Sequence, residues 1–127
     1  MRKLLYLLLI TFSITAFAQQ KSSAELLQPA AFAQKMAVDK GPVIDVRTPK
    51  EYQSGHIEGA VNLHVYDSDF AKQLDSLNKN KTIYVYCKAG GRSAEAVTTM
   101  KNKGFAHIVE LDGGIDAWTE AGKPVKK

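Results

Sequence analysis

The chain has 127 residues, 45% hydrophobic and 24% charged, an ordinary globular balance with room for one domain. Its net charge of +4 falls to +2 once Arg2 and Lys3, which lie in the leader described next, are set aside. No basic cluster marks one face, so nucleic acid is not an expected partner. A single cysteine excludes an internal disulfide framework and any multi-cysteine metal site.

Residues 1–18, MRKLLYLLLITFSITAFA, carry a positive start, an apolar run from Leu4 to Phe17 and a small-x-small end at Ala16-Phe17-Ala18. The run is short for a membrane span, which needs about 20 apolar residues. No cysteine follows it to take a lipid. The expected reading is a cleaved secretory signal, with an exported, periplasmic or secreted product that starts at Gln19 and has no membrane anchor.

Residues 19–24 are read as a flexible polar tail and 25–127 as the folded domain. Pro29 starts a predicted helix through Met36. Val43–Val46 reads as a short buried strand and Ala60–Leu63 as another. Asp67-Ser68-Asp69 is placed to cap a helix carrying Phe70, Leu74 and Leu77 on one face. Asn78–Lys81 is a polar turn. Thr82–Tyr86, all β-branched or aromatic, is the strongest strand signal. Ser93–Lys103 has helical spacing, with Ala94, Val97 and Met100 inward and Gly104 as its stop. His107–Leu111 reads as the last strand, and Gly113-Gly114 leads into a short helix through Trp118. Strands alternating with helices predict an α/β domain with a largely parallel sheet.

The segment Tyr84-Val85-Tyr86-Cys87-Lys88-Ala89-Gly90-Gly91-Arg92-Ser93 carries the chemistry. A buried strand delivers Cys87 to the carboxyl edge of the sheet, where open α/β sheets hold ligands. The small, glycine-rich residues that follow can turn successive N–H groups inward, and a helix opening near Arg92–Ser93 adds its positive end. Lys88 and Arg92 bring formal charge: Lys88 to meet an anionic donor, Arg92 to close the loop. A thiol so placed is favoured to ionise. Taken alone, a free cysteine is most often an inert core thiol, and a glycine pair an ordinary turn. Their coincidence within seven residues is what points to function, and a loop after a strand end is not expected to bury Cys87. Four residues separate Cys87 from Arg92, one fewer than in phosphate-binding cysteine loops, so the ring suits a sulfur atom rather than a phosphate. A cysteine phosphatase or arsenate-reducing enzyme is disfavoured on that ground.

Three separated motifs resemble the rhodanese family of sulfurtransferases across roughly residues 25–125. They are Ile44-Asp45-Val46-Arg47-Thr48-Pro49-Lys50-Glu51-Tyr52 with Gly55-His56-Ile57-Glu58-Gly59-Ala60, the loop Cys87–Ser93, and Leu111-Asp112-Gly113-Gly114-Ile115-Asp116-Ala117-Trp118 with Gly122-Lys123-Pro124-Val125. The resemblance implies a five-stranded, mainly parallel sheet with helices on both faces. It also implies a reaction in which Cys87 takes sulfane sulfur from a donor, becomes a persulfide held by Lys88, Ala89, Gly90, Gly91, Arg92 and Ser93, and passes the sulfur on. The donor is expected to be a small anion such as thiosulfate, or a persulfide, and the acceptor cyanide or a thiol. A redox or sulfur-relay protein is an expected partner, and a carrier or binding module with little turnover is the alternative. No metal or organic cofactor is needed for such a reaction. His56 is expected to be structural, Asp45 and Arg47 to hold loops by hydrogen bonds, and Trp118 to pack in the core. His64 and His107 give no metal site.

Overall fold

The computed structural model describes residues 22–127; the leader expected over residues 1–18 lies outside the described residues. The chain runs β1 (Ser23–Leu27), α1 (Pro29–Val38), β2 (Val43–Asp45), α2 (Pro49–Ser54), β3 (Val61–Asn62), α3 (Phe70–Gln73) with a 3-10 turn at Leu74–Ser76, β4 (Ile83–Tyr86), α4 (Gly91–Asn102), β5 (His107–Leu111) and α5 (Gly114–Glu120). The five strands form one sheet in the order β1-β5-β4-β2-β3, and every pairing is parallel.

Alternation along β4 divides the core into two. Ile83 and Val85 face one way and pack with Phe70, Leu74, Ala96, Val97, Met100 and Ile108, beneath α3 and α4. Tyr84 and Tyr86 face the other way and join Phe32, Val109, Leu111, Ile115 and Trp118, beneath α1 and α5. A strand covered on both faces reads as continuously apolar, which is why TIYVY is so clear in the sequence. The Tyr84 hydroxyl finds backbone acceptors at Lys35 and Asp39, and burial pushes the phenol up to about 12.

Four local expectations need correction. The tail expected over residues 19–24 is too long, because Ser23 and Ala24 belong to β1 and pair with His107 and Ile108. This edge strand is exposed along most of its length, so it has no apolar alternation to read. Asp69 sits at the N-cap of α3 without a side-chain cap bond. The helix it was expected to start gives way to a 3-10 turn, although Phe70 and Leu74 are buried as expected. In α4 the inward face is Ser93, Ala96, Val97 and Met100, spaced i, i+3, i+4 and i+7, and Ala94 lies off that stripe and is exposed. α2, which the apolar spacing does not reveal, is fixed by a capping box: Thr48 accepts from the Glu51 N–H while Glu51 accepts from Thr48.

Candidate active site

Cys87 directly follows β4, on the same face as Val85, and points under the first turn of α4. Contrary to the sequence expectation, Cys87 is buried, 1% exposed, in the cluster that holds Ala96, Val97 and Met100 of α4. Its Sγ accepts the Gly90 N–H at 3.0 Å. Gly90 holds φ 135°, a backbone region that side chains avoid, and this lets its N–H turn back onto the sulfur at the helix entrance. The thiol donates to Ser93 Oγ at 3.5 Å. The Ser93 hydroxyl in turn lies 2.6 Å from Glu110 Oε2 on β5 and 3.1 Å from the Gly90 carbonyl. A hydrogen-bonded path therefore leads from the thiol proton through a buried hydroxyl to a half-buried carboxylate.

The loop is held from outside at three points. The Cys87 carbonyl accepts from the Ile115 N–H at 2.9 Å and the Lys88 carbonyl from Asp116 N–H at 3.1 Å, so the start of α5 clamps both peptides. In a planar trans peptide the Lys88 N–H then points away from α5. Gly114 makes the clamp possible, since a Cβ there would lie 2.6 Å from the Cys87 carbonyl oxygen. The third point is Arg92, whose guanidinium makes a two-pronged pair with Glu51 at 2.6 and 2.9 Å. Arg92 holds the Glu51 carboxyl down at about 2, with Thr48 adding to the effect against a burial penalty. Glu51 in turn raises Arg92 above its ordinary value, against a burial penalty.

All the loop residues expected from sequence are thus in one place, but with unequal roles. Gly90 and Ser93 touch the sulfur. Gly91 and Arg92 open α4, and their N–H groups belong to its unsatisfied first turn. Ala89 is exposed, and Lys88 turns outward to Asp116 at 2.7 Å.

Sequence comparison decides the family. Residues 28–121 match the Rhodanese-like domain. The chain belongs to the rhodanese-like family. A rhodanese-related protein from Thermoplasma volcanium has a similar crystal structure, with TM-score 0.71 and 31% identity, covering 80% of this chain and 97% of that one. YrkF of Bacillus subtilis, named as a candidate sulfur carrier protein, is 35% identical over 103 residues, 80% of this chain. The chain spans 55% of YrkF, about half its length. Thiosulfate sulfurtransferase 16, chloroplastic, of Arabidopsis thaliana is 36% identical over 93 residues, 65% of this chain and 78% of that protein. The family is one of sulfurtransferases and sulfur carriers.

The remaining rhodanese motifs act as framework. Arg47 donates to Asp45 from Nε and Nη2, the latter at 2.6 Å, and to the Gly55 carbonyl at 2.7 Å, all buried. Burial works against the Arg47 charge, but the Asp45 carboxylate outweighs it and raises the guanidinium above its ordinary value. His56 stacks on Tyr52 with ring centroids 3.8 Å apart, and its Nδ1 donates to the Tyr52 carbonyl. Trp118 is 4% exposed, with its indole N–H on the Pro124 carbonyl. Sequence reading missed the roles of Glu51, Glu110 and Asp116. The capping box at Thr48-x-x-Glu51 was a readable signal, but a second partner 41 residues away was not.

Proposed function

We propose that this rhodanese-like protein is an exported sulfurtransferase that moves sulfane sulfur from a thiosulfate or persulfide donor to a thiophilic acceptor through a persulfide on Cys87. The observation that carries the reading is the lone thiol at the end of β4, with the Gly90 N–H on its sulfur at the mouth of α4. With thiosulfate, the Cys87 thiolate attacks the outer sulfur. The new Sγ–S bond forms, the donor S–S bond breaks, and sulfite leaves with the electron pair. The terminal sulfur then carries the negative charge into a region of N–H donors at the start of α4, where such charge is stabilised. Cyanide or a thiol attacks that sulfur and regenerates the thiolate. Ser93 and Glu110 offer the thiol proton its way out.

The reading is tested by thiocyanate formation from thiosulfate and cyanide, with Cys87→Ser as control. Turnover lost in the serine variant is the expected result, because serine is a far weaker nucleophile at neutral pH. Thiocyanate from the serine variant would contradict it. A second reading is a sulfur carrier that is loaded and unloaded by partner proteins. The burial of Cys87 and the similarity to YrkF favour it. A Cys87 persulfide that forms but yields thiocyanate only at a stoichiometric level would select the carrier. Export rests on the charge and apolar pattern of residues 1–18.

A further inference from the structure

Glu110 is a carboxylate on an apolar face of the sheet. It lies on β5 two residues after the buried Ile108, on the face that packs under α4, with Val85 of β4 and Leu26 of β1 beside it. Among the described residues no lysine, arginine or histidine pairs with it. The other charges around the loop are closed in pairs: Arg92 of α4 with Glu51 of α2, Lys88 with Asp116 of α5, and Arg47 with Asp45 of β2. The segment after β3 adds Tyr66, near Arg92, and His64 beside Asp67. Glu110 instead meets Ser93 Oγ at 2.6 Å, and that buried oxygen lies 3.5 Å from Cys87 Sγ. A serine hydroxyl has one hydrogen to give. It belongs on Glu110, the charged and nearer acceptor, ahead of the Gly90 carbonyl at 3.1 Å. The sulfur therefore faces serine lone pairs, which accept a thiol hydrogen and repel a thiolate.

We propose that Glu110, acting through Ser93, holds resting Cys87 in its protonated form and so sets the pH at which the thiolate becomes available. Glu110 is a positioning residue in this scheme, since it does not touch the sulfur. Ionisation of Cys87 leaves Sγ with the Gly90 N–H as a donor. Ser93 becomes a second donor only if its hydrogen swings from Glu110 to Sγ. The charged Glu110 oxygen would then face a serine lone pair with no hydrogen between them. A proton taken up by Glu110 removes the conflict: the acid donates to Ser93, and Ser93 donates to the thiolate. A glutamine amide can do the same. The Cys87–Ser93–Glu110 trio thus carries one negative charge readily and a second only at a cost. The consequence for sulfur loading rests on the sulfurtransferase reading, while the ionisation of the thiol does not.

The test reads the thiolate by its ultraviolet absorbance as pH rises, which needs no access to the buried sulfur, with Cys87→Ser as the blank. Reduced wild type, Glu110→Gln, Ser93→Ala and the double variant are compared. Glu110→Gln is expected to ionise earlier, with about tenfold more thiolate at a pH below both midpoints, the effect of one charge removed and one hydrogen bond redirected. With Ser93→Ala already in place, the same substitution should change the thiolate by about threefold or less, because the hydroxyl that carries the effect is gone. Loading of one sulfur from thiosulfate and from glutathione persulfide, read by intact mass, should quicken in Glu110→Gln at low pH. It should converge with the wild type once both thiols are ionised, an agreement that a misfolded variant would not give. Unchanged or later ionisation in Glu110→Gln, or an equal shift without Ser93, would overturn the inference. Loading from neither donor, with the ionisation shifted as expected, would uphold it and overturn the sulfurtransferase reading alone.

Discussion

Glu51 shows how one side chain can serve an element and a site together. Its oxygens accept from Thr48, closing the cap of α2, and from both terminal nitrogens of Arg92 in the cysteine loop. Because Arg92 holds the carboxyl at about 2 instead of its ordinary 4.5, the charged form is favoured by folding. The sign follows: this contribution is complete above 4.5 and fades as pH falls toward 2. Allowing for partial exposure, the pair should contribute about 1–2 kcal/mol near neutral pH. Urea unfolding of the wild type and Glu51→Gln should therefore show a gap near neutral pH that closes as pH falls toward about 2. Parallel curves would mean the pair adds nothing to folding. The Asp45–Arg47 pair differs in kind, since both partners are buried. Arg47→Leu strands a buried carboxylate, so a loss of about 3–5 kcal/mol is expected by denaturant titration. A loss under about 1 kcal/mol would show that water or another donor replaces Arg47.

Among the elements, α5 illustrates what the sequence hides. Gly113-Gly114 and Trp118 mark a short helix plainly enough, and Trp118 does pack in the core. Nothing in that segment says that its first N–H groups hold the carbonyls of Cys87 and Lys88, because the contact joins residues 28 apart that meet only in the folded sheet. β4 and α4 were legible because burial on both faces of a strand, or on one face of a helix, is written in local spacing. β1, exposed at the sheet edge, and α2, built by a cap rather than an apolar stripe, carry no such spacing. The thiol followed the same rule: strand, cysteine and glycines were readable, while its burial depends on α4 and cannot be read from the loop alone. Gly114→Ala tests the clamp. With φ +61° and no room for a Cβ beside the Cys87 carbonyl, it should cost about 1–3 kcal/mol of stability. It should also slow sulfur loading of Cys87 more than it lowers the folded fraction at room temperature. Wild-type loading in a destabilised variant would separate α5 from the site.

At the scale of the molecule, two half-cores grip one sheet, and both reach the cysteine loop: α4 from one face, α5 from the other. The loop is therefore held by the whole fold and not by its own residues alone, as the proposed sulfur transfer asks of a site preorganised for charge. Export is tested on protein purified from cells, whose intact mass should correspond to a start at Gln19; retention of Met1 in a membrane fraction would contradict it. The most direct test of the central claim uses the single thiol. Reduced protein treated with a sulfane donor should gain the mass of one sulfur atom at Cys87, lose it on adding cyanide, and show neither change as Cys87→Ser. A sulfur gained and surrendered by the serine variant, or a wild type that never gains one from either donor, would contradict the account.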